Sequence, residues 1–147
     1  MSAYLANLPQ GFALVPLTES LHAEIVAAVQ PTALDSFPQF ERLSASVETA
    51  VREATAVGPL GYIETDYFGG SGTQCAVAWT NAARLVGPFR TESGWDGSDY
   101  TVRPPGEWAI NQVLVALGVK PVGENDAFDT LGLGQYRVTE SVEQDAD

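Results

Sequence analysis

The stretch Gly61-Tyr62-Ile63-Glu64-Thr65-Asp66-Tyr67-Phe68-Gly69-Gly70-Ser71-Gly72-Thr73-Gln74-Cys75-Ala76-Val77-Ala78-Trp79 decides the fold. From Gly61 to Phe68 its side chains alternate with the period of a strand, so Ile63, Thr65 and Tyr67 share one face. Tyr62, Glu64, Asp66 and Phe68 share the other. Glycines 69, 70 and 72 supply a turn, and a second alternating run follows. There Cys75, Val77 and Trp79 point one way, and Ala76 and Ala78 the other. Thr80-Asn81-Ala82 makes a short turn into a third strand, Arg84 to Phe89. Pro88 marks an edge or an end of that strand, because proline cannot donate to a ladder.

Helices flank this meander. Thr18 caps a helix starting at Glu19, with Leu21, Ile25 and Val29 on one face and Pro31 stopping it. Ser36 and Gln39 have the spacing of a capping box. From there Phe37, Phe40, Leu43, Val47, Val51 and Ala54 trace an amphipathic stripe up to Gly58-Pro59. Glu107 to Leu117 is predicted helical, with Ile110, Val113, Leu114 and Leu117 on one side and Gly118 closing it. Asp126 to Leu131 has room for one further turn. Upstream, Phe12 to Leu17 reads as a short strand, and Thr91 to Gly106 as a long loop displaying Trp95 and Tyr100. The expectation is an α+β fold, a three- to four-stranded antiparallel β-meander covered by two or three helices. Residues 1–138 form a single domain in this reading, and 139–147 an acidic, disordered tail.

Composition narrows the function. The chain has 147 residues, 45% of them hydrophobic, which suits a globular core. No apolar run approaches the roughly 18 to 20 residues of a membrane span, and the start lacks the features of a signal peptide. Cys75 is the one cysteine, so no internal disulfide forms, and a cytoplasmic location is expected. Nineteen acids against seven bases give a net charge of −12. Setting aside Glu140, Glu143, Asp145 and Asp147 of the tail leaves about −8 on the rest. Such a field repels nucleic acid and anionic membranes and favours a basic protein partner. The plain alternative is that acidity serves solubility.

Chemistry is sparse. Zinc is not expected, since His22 and Cys75 are the only soft or borderline ligands. Glu64 with Asp66, or Asp96 with Asp99, lack the further ligands of a magnesium or EF-hand site, so no metal or cofactor is predicted. Cys75 lies on an apolar strand face and His22 beside a buried helix stripe, which argues against a thiol–imidazole pair. The glycine cluster at 69–72 lacks the lysine of a phosphate loop, and a strand follows it instead of a helix. What stands out is a mixture of acids and rings. Glu64 and Asp66 lie beside Tyr62 and Phe68, and Glu92, Asp96 and Asp99 beside Trp95 and Tyr100. Aromatics supply contact area and acids select a cationic partner. Glu64, Asp66, Glu92, Trp95, Asp96, Asp99 and Tyr100 are the candidate partner-binding residues.

The Tyr-Phe-Gly-Gly-x-Gly-x-Gln core at 67–74, with Asp-Ala-Phe-Asp-Thr-Leu-Gly-Leu-Gly at 126–134, resembles a group of small uncharacterised bacterial proteins. That resemblance covers the C-terminal two thirds and implies no catalytic residue. In size, acidity and layout the chain is also similar to immunity proteins that neutralise bacterial toxins, which implies a basic toxin enzyme as partner. Two other classes stay open: a small enzyme using carboxylates in a cleft, and a self-associating structural protein.

Overall fold

The computed structural model describes residues 4–32, 39–68, 71–95, 100–101 and 104–136. Its centre is the predicted meander. Strands β3 (Leu60–Phe68), β4 (Ser71–Thr80) and β5 (Ala83–Trp95) pair antiparallel in sequence order. A two-residue strand β6 (Tyr100–Thr101) returns against the end of β5. A small hairpin of β1 (Ala6–Asn7) and β2 (Ala13–Leu14) precedes them. The helices are α1 (Glu19–Ala28), α2 (Ala45–Ala54), α3 (Ala109–Ala116) and the single turn α4 (Ala127–Thr130). None of the described helices is long and apolar enough to cross a membrane.

Both faces of the sheet are buried. Cys75, Val77 and Trp79 of β4 join Tyr62 of β3 in a core with Leu21 and Ile25 of α1 and Val47 of α2. Ala76 and Ala78 face the other way, into a core with Ile110, Val113 and Leu114 of α3. The small residues lie on the α3 side because the helix comes close there. A Cβ added to Gly61 would stand 2.9 Å from Leu117 Cδ1 and 3.1 Å from Val113 Cγ1. Trp79, wholly buried, fills the opposite core. Burial of this order, worth about 1.5–3 kcal/mol per large side chain, is what holds the two helical layers to one sheet.

Three expectations change. The second helix does not begin at Ser36 but at Ala45, with Ser44 as its cap, its hydroxyl accepting from the Val47 amide at 3.3 Å. Residues 33–38 lie outside the described part. Residues 39–44 are non-helical, and the Glu64 carboxylate binds the Glu41 and Arg42 amides that a helix would otherwise use. The third strand is longer than Arg84–Phe89, and Thr91–Trp95, expected as loop, continues it. Gly72 and Gln74 of β4 provide register partners for Ser93 and Thr91. Pro88 is accommodated at a cis Gly87–Pro88 peptide beside a register shift between Ala76 and Ala78. Of the expected strand Phe12–Leu17, only Ala13–Leu14 pairs, its partner being β1. The tail 139–147 is outside the described residues.

Polar side chains bind the layers where apolar ones cannot. Helix α3 has no side-chain cap from its own N-cap residue, Trp108. Two sheet residues replace it: Thr91 Oγ1 accepts from the Ala109 amide and Gln74 Oε1 from the Ile110 amide, both at 3.1 Å. On the other side, Arg52 of α2 donates from Nε to the Ala82 carbonyl at 2.9 Å. Thr55 Oγ1 accepts from the Ala82 amide at 2.8 Å, so the end of α2 grips the β4–β5 turn.

Candidate functional site

The register of the meander gathers three of the candidate acids. Glu64, Cys75 and Arg90 stand in one cross-strand row, and Asp66, Thr73 and Glu92 in the next. Strand spacing puts the Asp66 and Glu92 backbones about 10 Å apart. Alternation places all three acids on the face that carries α1 and α2, towards the β5–β6 end. Asp66 and Glu92 are exposed, and Glu64 is half-buried.

The three acids differ in what they do. Glu64 Oε1 accepts from the Glu41 and Arg42 amides, both at 2.9 Å, and Oε2 from the Glu41 amide at 3.1 Å. Its carboxylate therefore holds segment 39–42 against the sheet. Burial pushes its pKa up, with the two amides opposing. Glu92 forms an ion pair with Arg90 on the same strand. Asp66 projects from the edge strand into solvent. Around them Arg42 pairs with Glu19 at 3.5 Å. The surface thus combines five carboxylates, at Glu19, Glu41, Glu64, Asp66 and Glu92, with two guanidiniums, at Arg42 and Arg90.

Beneath this surface, Phe40 and Tyr62 meet edge to face with ring centroids 5.6 Å apart. Burial, reinforced by the nearby Glu64 charge, pushes the Tyr62 phenol upward, so it remains protonated. Cys75 is buried, its thiol donates to the Gln39 carbonyl at 3.3 Å, and burial pushes its pKa up as well. A thiol so placed is a packing group.

Trp95 and Tyr100 are register partners where β5 meets β6. Asp96 and Asp99 lie outside the described residues. The sheet thus brings together Glu64, Asp66 and Glu92, and the Trp95–Tyr100 register pair lies at the same end.

A second polar constellation was not anticipated. Asn111 on α3, only 4% exposed, donates from Nδ2 to the Pro105 carbonyl at 2.7 Å and to Asp126 Oδ2 at 3.1 Å. Its Oδ1 accepts from the Phe128 amide at 2.9 Å. Asp126 in turn caps α4, its Oδ1 accepting from the Asp129 amide at 2.8 Å. Beside this node an open cleft of about 320 Å3 is lined by residues of 105–106, α3, 121–126 and α4. The available signal was an asparagine within an apolar helix and the Asp126–Asp129 spacing of a cap.

No family model, curated protein or solved structure matches this chain.

Proposed function

We propose that this chain is a non-catalytic acidic protein-binding domain of the bacterial cytoplasm, an immunity- or antitoxin-like inhibitor of a basic toxin enzyme. The observation that carries the reading is the placement of Glu64, Asp66 and Glu92 in two adjacent rows of one sheet face. They lie next to the β5–β6 end in a chain of net charge −12. A carboxylate surface on a rigid sheet attracts a cationic protein and orients it before contact. Arg42 and Arg90 within the surface add specificity, since they need carboxylates on the partner or on this chain. The buried Cys75 thiol, hydrogen-bonded to a carbonyl, supports a binding role over thiol chemistry.

The test is affinity capture from the source cells with the wild-type chain and with Asp66→Lys/Glu92→Lys. The captured partner should be basic, and association should slow about tenfold or more between low and physiological salt. The double reversal should abolish capture. Binding insensitive to both salt and reversal refutes the reading.

A further inference from the structure

The two outer strands of the large sheet are built differently. Strand β5 carries Pro88, which has no amide to donate, and a register shift opposite Ala76 and Ala78. Part of its outer side is closed by β6 at Gly94 and Trp95. Such features blunt an edge against further strands. Strand β3 has none of them. Its nine residues, Leu60–Phe68, pair with β4 in unbroken register and include neither proline nor lysine. Among the described residues no strand pairs with its other side, and no backbone hydrogen bond from outside the sheet reaches residues 60–68. Segment 39–42 meets β3 through the Glu64 side chain, and its Gln39 carbonyl lies over Cys75 of β4, so it covers the face and not the edge. Every second residue of an edge strand turns its amide and carbonyl outward, and β3 presents that row to solvent. Thr65 and Asp66 are both exposed along it.

The cross-strand rows define what a further strand would meet. On one face it would extend the row Asp66–Thr73–Glu92, and on the other the rows Ile63–Ala76–Phe89 and Thr65–Gln74–Thr91. Side chains directly opposite one another interact, so opposite charges attract and like charges repel. Beside Asp66 this favours lysine or arginine, and beside Ile63 an apolar residue. A second copy of the chain fits poorly. Two β3 edges paired about Thr65 set Glu64 against Asp66 twice, and paired about Glu64 they set the two Glu64 carboxylates together. Both arrangements bring together chains of net charge −12.

We infer that the outer edge of β3 takes an extended segment of a basic protein partner as a further strand, with a cationic side chain opposite Asp66 and an apolar one opposite Ile63. The inference rests on the reading of the chain as a binder of basic protein and states how the partner is held. Backbone hydrogen bonds supply the grip, and alternate side chains supply the selection.

The experiment is an amide-resolved NMR titration of the full chain, with hydrogen exchange, using N-acetyl-Val-Thr-Thr-Lys-Thr-Thr-Val-amide. The peptide reads the same in both strand directions. It should give saturable shifts centred on residues 60–68 and slow the exchange of alternate β3 amides. N-methylating one set of alternate peptide residues should abolish binding, whereas N-methylating the other set should leave it, since a strand pairs through one edge. Replacing the lysine by glutamate should weaken binding about fivefold or more, and Asp66→Lys should reverse that preference. Equal binding of the two N-methylated forms, shifts centred elsewhere, or an unchanged preference in Asp66→Lys would each overturn the inference. So would alternate β3 amides already protected in the free chain, by a second copy or by another segment. The two ideas fail separately. If capture responds to salt and to Asp66→Lys/Glu92→Lys while β3 ignores the peptide, only the edge assignment falls. If the peptide adds to β3 while capture responds to neither, the edge stands and the sheet-end surface is lost.

Discussion

Gln74 on β4 accepts a hydrogen bond from the Ile110 amide at 3.1 Å, so a strand residue terminates a helix 36 positions along the chain. Thr91 does the same for Ala109 from β5. Both acceptors are buried, and water is a poor substitute there. Gln74→Ala should cost about 1–3 kcal/mol, because it orphans a buried amide, and Thr91→Val should cost a similar amount. The two bonds serve adjacent amides of one helix turn, so a double-mutant cycle by urea unfolding should show coupling.

That relationship explains which parts of the structure were legible. The alternation from Gly61 to Trp79 is local, and it gave strands, faces and hairpin correctly. Thr18 caps its own helix, as its position implied, and Asp126, expected only as the first residue of a turn, caps α4. Gln74 does not. Its partner is remote in sequence, so the residue reads only as a polar misfit on an alanine face. The start of α2 was misplaced for the same reason. Phe40 of the expected stripe is buried, but Glu64 takes the amides of Glu41 and Arg42 from another element. Of the candidate site, the shared face of Glu64 and Asp66 was readable. The alignment of Glu92 with Asp66 was not, because it depends on the β4–β5 register.

Glu64 gives a pH signature. Its carboxyl is raised above the ordinary glutamate range by burial, so the folded chain holds that proton more tightly than the unfolded chain. The stability this group contributes is full below the ordinary value, roughly 4.3, and is lost as pH rises through the raised one. Glu64→Gln should flatten that part of the stability–pH curve while Oε1 still accepts from both amides. Glu64→Ala should cost about 1–2 kcal/mol at neutral pH through loss of those bonds. Denaturant unfolding across pH 3 to 8, roughly the range over which carboxylates titrate, reads both.

Cys75 reports on local opening. Burial raises its pKa, with the Arg90 charge opposing and Glu64 and Glu92 adding to the rise. Thiolate is the reactive form, so native Cys75 should alkylate at least about a hundredfold more slowly than the same thiol in urea. Replacing Phe40 by Ala removes a neighbour from its core and should speed the reaction in the native state. Mass spectrometry of timed iodoacetamide reactions measures it.

The β4–β5 turn carries a conformational cost in one residue. Asn81 and Ala82 have φ values of 50° and 61°, the left-handed pair of a two-residue hairpin turn. Asparagine tolerates this region, whereas alanine places its Cβ against the following carbonyl. Ala82→Gly keeps the backbone groups that Arg52 and Thr55 bind. It should stabilise the fold by about 0.5–1 kcal/mol, a rise of roughly 2–4 °C in Tm. An unchanged or lowered Tm would show that the entropy of glycine in the unfolded chain outweighs the relief.

Asn111 makes the strongest demand on side-chain identity. It gives two hydrogen bonds through Nδ2 and receives one at Oδ1, all within the packed junction of α3 and α4. Asn111→Asp keeps the shape and the acceptor for Phe128 but turns the donor into a second acceptor. It would then face the Pro105 carbonyl and the Asp126 carboxylate with like charge. The cost should be about 3–5 kcal/mol near neutral pH, as for an uncompensated buried charge. It should shrink as pH falls and the new carboxyl, its pKa raised by burial, takes up a proton and donates again. Asn111→Leu, by contrast, should lose about 1–3 kcal/mol at every pH, since it orphans the same partners without adding charge. Comparing the two variants by urea unfolding under acidic and under neutral conditions separates charge from lost hydrogen bonds.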